Sequence, residues 1–175
     1  MNKFKKVLNF HFFIGILVSS LSCTEAEPLK KENNAPKKRE YFTFHIGEIP
    51  IQAELAILPK ETEKGLMYRN ELKQGIGMLF IFKSATPQKF WMKNTRIPLD
   101  IGYFSSDGVL KEIYAAKPFD LSGVPSRSKA IQFVLELNLK GFRDQGLKIG
   151  SRLNLDDIRN AISKRGLDPK DYLRN

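Results

Sequence analysis

Between Ile49 and Leu58 the chain alternates: Ile51, Ala53, Leu55 and Ile57 are interleaved with Gln52, Glu54 and Ala56. A two-residue period sends successive side chains to opposite faces of an extended chain, so this run is predicted to be a half-buried strand. Tyr41 to Ile46 precedes it, rich in aromatic and β-forming residues, with Gly47-Glu48 as a turn. The two are expected to pair as a hairpin. Further strands are expected at Met78–Phe82, Gln88–Lys93, Leu99–Phe104, Val109–Ala116, Ala130–Leu137 and Ser151–Leu155. Ser105-Ser106-Asp107-Gly108 is a hairpin turn.

Helical signals are short. Thr62 opens one that runs towards Arg69, despite Gly65, which costs about 1 kcal/mol relative to alanine. Leu139 to Gln145 is a second, closed by Gly146. Ile158, Ala161, Ile162 and Arg165 keep helical spacing until Gly166, and Asp168-Pro169 starts a last turn. Lys117 to Lys129 is expected to be a loop. The expected fold is mainly β (α+β): a compact single-domain, barrel-like antiparallel sheet with one or two short helices packed on it. A helical extension over 156–175 either packs on that domain or hangs free.

The first 40 residues do not belong to that fold. Lys3, Lys5 and Lys6 precede an apolar run from Val7 to Val18 and then Ser19-Ser20-Leu21-Ser22-Cys23, the order of an export signal over 1–22. The run is shorter than the roughly 20 apolar residues of a membrane span. Losing it takes three lysines from the net charge of +10, leaving +7. Cys23 is the lone cysteine, so no intrachain disulfide can form. Its place after small residues resembles the lipidated cysteine of a bacterial lipoprotein, although Ser20 and Leu21 depart from the usual order, and ordinary signal cleavage with Ser20 and Ser22 as the small residues is the alternative. Residues 23–40 are polar and read as a disordered tether, and the folded domain is expected over 41–155. The expected setting is the cell envelope, with the membrane as partner through Cys23. The spread of positive charge suits anionic surfaces better than nucleic acid, which export removes as a partner. A monomer is expected.

Four dense motifs follow in order: Gly65-Leu66-Met67-Tyr68-Arg69, Gly77-Met78-Leu79-Phe80-Ile81-Phe82, Phe90-Trp91-Met92-Lys93-Asn94-Thr95 and Ile97-Pro98-Leu99-Asp100-Ile101. Val134-Leu135-Glu136-Leu137, Gly146-Leu147 and Gly150 close the series. Over about Ile49 to Leu155 this resembles the DUF192 (UPF0127) family of small, often exported prokaryotic proteins. The resemblance implies a compact, mostly β domain with a helix after the first strands, and no established activity. The Lys117–Lys129 loop and the helical tail depart from the family pattern.

The site residues expected from these motifs are Arg69, Trp91, Lys93, Asn94 and Asp100. Tryptophan offers a flat apolar face and one N–H donor, and the polar residues supply hydrogen bonds to a polyol, a carboxylate or a phosphate. That suits noncatalytic binding of a small polar or saccharide ligand. Core packing of Trp91 explains the same residues and stays open beside it. Asp100 is expected to pair with Arg69 or Arg96, either as a structural lock or as part of a site. Met67, Met78 and Met92, with His45 adding a nitrogen, form a candidate Cu(I) set, against the alternative that methionine fills core gaps. No other metal and no cofactor is expected. Enzyme signals are weak: no metal-hydrolase, P-loop or dinucleotide pattern is present, and acid pairs of the kind a glycan hydrolase uses are available among Glu63, Glu71, Asp100, Asp120 and Glu136 without a marked spacing.

Overall fold

The computed structural model describes residues 39–173. The expected signal segment, Cys23 and nearly all of the tether lie outside the described residues.

Strands β1 (Phe42–Ile46) and β2 (Ile49–Ala56) form the expected hairpin, in register from Phe42 opposite Ala53 to Ile46 opposite Ile49. Helix α1 (Pro59–Lys64) follows, three residues earlier than Thr62. Pro59 suits a first helical turn, and the Glu61 carboxylate accepts the backbone N–H groups of Ile57 and Leu58, each at 3.1 Å. Gly65 ends the helix at a φ of 45°, and a Cβ there would sit 3.2 Å from the Phe80 ring. The interior glycine of the expected helix is therefore its stop signal.

Strand β3 (Ile76–Thr86) then runs parallel to β2, because α1 and its loop carry the chain back to the same end of the sheet. Strands β5 (Leu99–Ser105), β6 (Leu110–Ala116) and β8 (Ile131–Asn138) complete a six-stranded mixed sheet in the order β1-β2-β3-β8-β5-β6. Strands β4 (Lys89–Phe90) and β7 (Val124–Pro125) make a separate two-stranded ribbon. The α+β class is as expected, but the sheet is neither fully antiparallel nor closed into a barrel. Ser151–Leu155, expected as a strand, contributes isolated bridges from Leu153 to Ile46 and from Arg152 to Val109. Asn154 then caps the next helix, accepting from the N–H groups of Asp156 and Asp157, and the extended run ends before it can form a ladder.

Both faces of the central strands are buried. One face carries Phe44, Ile51, Leu79, Ile81, Phe133 and Leu135, covered by α2 (Gly141–Asp144) through Phe142 and by α3 (Leu155–Lys164) through Ile158 and Ile162. Gly102 permits the approach of α2, since a Cβ there would lie 2.2 Å from the Phe142 ring. Tyr172 and Leu173 join the same cluster, so the C-terminal extension is part of the core. The other face carries Met78, Phe80, Leu99, Ile101, Tyr103 and Val134, covered by Leu66, Met92 and Ile97 from loops. Helices seal the first face. Irregular chain closes the second, and the candidate site lies there.

Candidate functional site

The segment from Trp91 to Pro98 belongs to no strand: the expected Gln88–Lys93 strand stops at Phe90. Its backbone is held by other loops instead. Met92 N–H donates to Asp120 O at 2.8 Å, Tyr68 N–H to Asn94 O at 2.8 Å, and Phe119 N–H to Thr95 O at 3.1 Å. Asn94 adopts a φ of 54°, a left-handed conformation that asparagine tolerates better than most residues, and its side-chain amide donates to the Tyr68 hydroxyl at 2.7 Å. This turn buries Met92 and Thr95 and turns Trp91 outward, 47% exposed. Of the two readings open for Trp91, core packing is removed.

Trp91, Lys93, Asn94, Phe119 and Leu121 line an open groove of about 470 Å³. Lys93 Nζ lies 5.0 Å from the centre of the Trp91 ring, a cation–π arrangement. Phe119 and Leu121 are 58% and 67% exposed, so the groove presents apolar faces to solvent. Three of the five residues expected at a site meet in or beside this groove: Trp91, Lys93 and Asn94. The loop contributing Phe119 and Leu121 was the stretch that departed from the family pattern, and no sequence signal assigned it to the site.

Arg69 and Asp100 do not join them. Arg69 makes a two-pronged ion pair with Glu54 on β2, at 2.5 and 2.7 Å, with both side chains 14% exposed. Arg96 donates to Asn70 at 2.6 Å. The expected Arg–Asp pair is therefore absent. Asp100 is buried on the opposite face of the sheet, where the backbone N–H groups of Lys140 and Phe142 supply its hydrogen bonds. Burial raises its pKa, and those two donors restrain the rise. Asp100 fastens α2 to the sheet.

One residue stands out that the sequence offered only as one of five acids available to a hydrolase. Glu136 sits mid-strand in β8, opposite Met78 of β3 on one side and Ile101 of β5 on the other. It is 4% exposed. No hydrogen bond restrains its carboxyl, and only the charge of Arg69 opposes the effect of burial, which pushes its pKa up to about 8. Among the described residues every fully sealed polar side-chain atom has a partner. Glu136 instead opens on a pit of about 30 Å³ beneath Trp91, walled by Leu66, Met67, Phe80, Phe90 and Thr95. Thr95 donates its hydroxyl to Lys93 O at 3.2 Å and keeps its acceptor capacity. Trp91 lines both pit and groove.

The methionines gather loosely around this point. Met67 walls the pit, Met78 faces Glu136 across the strands, and Met92 is buried in the same cluster. His45 is not with them: its Nδ1 pairs with Asp157 of α3 at 2.8 Å. A larger depression, about 580 Å³, lies by Lys83, Gln132, Arg159 and Leu173. Three of its polar side chains already have partners: Gln132 donates to Phe82 O and Tyr172 O, Lys83 lies over the Tyr172 ring, and Arg159 pairs with Asp156. A group buried without a partner is a stronger sign of a ligand than volume is, so the pit and groove are the candidate site.

A small α+β domain with an open mixed sheet, one face helix-sealed and the other closed by loops around an unpaired buried carboxyl, is the class defined by these features. The chain belongs to the DUF192 family, described as "Uncharacterized ACR, COG1430", whose model matches residues 42–155. It is similar to a proposed transcription regulator of Sinorhizobium meliloti 1021, at 35% identity over 66% of this chain and 92% of that one, with a TM-score of 0.60. It is also similar to a protein of unknown function from Novosphingobium aromaticivorans DSM 12444, at 31% identity over 69% and 89% of the two chains, with a TM-score of 0.60. No curated protein matches the chain.

Proposed function

We propose that this protein is an exported, lipid-anchored domain that binds a small polar or saccharide ligand at the cell envelope without transforming it. The observation that carries the reading is the solvent-facing Trp91, with Lys93 and Asn94 beside it and Phe119 and Leu121 opposite, in a groove of about 470 Å³. An aromatic face with a polar fringe matches a sugar, which has an apolar C–H face and a rim of hydroxyls. Export and anchoring rest on the Val7–Val18 run and Cys23. The description of the Sinorhizobium relative suggests DNA as another partner. The exposed side of α3 argues against it, since Asp156 and Asp157 balance Arg159 and Lys164.

Trp91 is the sole tryptophan, so intrinsic fluorescence reports on the groove directly. Titration with a panel of neutral and acidic oligosaccharides is expected to give a saturable change for at least one, together with a raised melting temperature. That thermal shift is expected to vanish in Trp91→Ala. A panel that moves neither signal would remove the reading. Anchoring is tested separately: the full chain made in a bacterial host partitions into detergent, and Cys23→Ala does not.

A glycan hydrolase is the second reading, because Glu63 and Glu136 both line the pit and a protonated Glu136 has the character of a general acid. Turnover of aryl glycosides that is lost in Glu136→Gln would establish it in place of simple binding.

A further inference from the structure

The pit under Trp91 has a chemistry of its own, and the proposed function does not use it. Its floor is a single carboxyl with no hydrogen-bond partner among the described residues; Leu66, Met67, Phe80 and Phe90 supply apolar walls, and Thr62, Glu63, Lys64 and Thr95 supply polar ones. Its volume, about 30 Å³, is the size of one or two water-sized groups. A hydroxyl or hydroxymethyl group matches that space beside Glu136.

The polar groups around the pit bear on which small groups suit it. Glu63 and Lys64 of α1 line the rim. Arg69 acts on Glu136 from the loop after α1, already paired with Glu54 of β2. From β5, Tyr103 acts on the same region, with its hydroxyl donated to Val124 O and its pKa raised by burial. An ammonium group offers donors and no acceptor, which leaves the proton of a neutral carboxyl unmet, and an anion offers acceptors and no donor, which leaves the carboxyl's carbonyl oxygen unmet. A neutral hydroxyl avoids both conflicts. A protonated carboxyl offers one donor and one acceptor, which a hydroxyl satisfies reciprocally, and the spare acceptor of Thr95 lies in the same wall.

We infer that Glu136 is the buried anchor of the ligand site, holding in its protonated form one hydroxyl or hydroxymethyl of a neutral sugar whose ring stacks on Trp91. This rests on the saccharide reading of the groove and makes it more specific. The anchor excludes ligands that lack a projecting hydroxyl, since the carboxyl then stays unpaired. It also couples binding to pH, since ionised Glu136 loses its donor and would have to hold a charge at a desolvated position. The position of its pKa, about 8, puts that loss within a range where binding can be measured.

The test uses N,N′-diacetylchitobiose, a neutral disaccharide, and its fully deacetylated diamine, with Trp91 emission as readout. For the wild-type protein the affinity for the neutral disaccharide is expected to fall about tenfold between pH 7 and pH 9, following the protonated fraction of Glu136. Glu136→Gln keeps a donor and an acceptor without a charge, and its affinity is expected to be flat over the same range. Circular dichroism at each pH checks that the variant is folded, and the wild-type pH profile needs no variant at all. Binding of the neutral disaccharide that does not change with pH, or tighter binding of the diamine at the higher pH, would overturn the hydroxyl anchor and leave the saccharide groove standing. Absence of binding by either probe at every pH would overturn both.

Discussion

Two carboxyls are buried in adjacent strands of one sheet, and they are treated in opposite ways. Asp100 of β5 lies opposite Leu137 of β8, the next residue after Glu136. Because side chains alternate across a strand, Asp100 faces the helix-covered side and Glu136 the loop-covered side. Asp100 receives two backbone N–H groups from the start of α2, while Glu136 receives none. A carboxyl that is buried and satisfied holds a fold together. One that is buried and unsatisfied costs stability, and a fold that keeps it has another use for it.

The sharpest way to break this contrast is through pH. The folded-state pKa of Glu136, about 8, lies above its unfolded value of about 4.3, so folding takes up a proton between those limits. The stabilising contribution is complete below the unfolded pKa and is lost as pH rises through the folded one. Over pH 4.5 to 8.5 the wild type is expected to lose roughly 4 kcal/mol relative to Glu136→Gln, measured by urea unfolding at each pH. Asp100, whose pKa is also raised, contributes in the same direction to both proteins and cancels from the difference. Parallel pH profiles for the two proteins would mean that Glu136 is not held in a desolvated site.

Substitution of the two carboxyls should then move stability in opposite directions at neutral pH. Asp100→Ala leaves the N–H groups of Lys140 and Phe142 without an acceptor and is expected to cost about 2–3 kcal/mol. Glu136→Leu replaces an unpaired carboxyl with an apolar side chain beside Met78 and Ile101, and is expected to stabilise by about 1–3 kcal/mol while abolishing ligand binding. If both variants destabilise equally, Glu136 is a structural residue like its neighbour. Arg69→Ala strands the nearly buried Glu54 and removes the one favourable charge near Glu136, with an expected loss of about 1–3 kcal/mol and a further upward drift of the Glu136 titration. Trp91→Ala is the smallest effect, within about 0.5 kcal/mol, because the ring is half exposed. A larger loss would return Trp91 to the core.

Much of the fold could be read in the residues, and the reasons differ by element. The alternation from Ile51 to Ile57 marked a strand because local sterics and one-sided burial act on every second residue. The tail helix was visible in Ile158, Ala161 and Ile162, all of which are buried in the core. The parallel pairing of β2 with β3 was not visible, since pairing depends on the path taken by α1 and its loop. Trp91, Lys93 and Asn94 could be picked out by residue type. Phe119 and Leu121 could not, because their place beside Trp91 depends on hydrogen bonds between loops far apart in sequence. Glu136 did leave a signal, a lone acid in an otherwise apolar stretch of a central strand, but one that is easily taken for the polar face of an ordinary alternating strand.

Residue type and periodicity were enough for the family, the six strands of the main sheet, and the polar residues gathered around one tryptophan. Those follow from residue type and local periodicity, which act over a few positions of chain. It took the packed fold to show that Trp91 faces solvent, that Arg69 belongs to Glu54 rather than to Asp100, and that of two neighbouring acids one is a fastening and the other the unpaired floor of a pit. Desolvation and hydrogen bonding depend on what surrounds a group in three dimensions, and for Glu136 those surroundings come from four separate stretches of the chain.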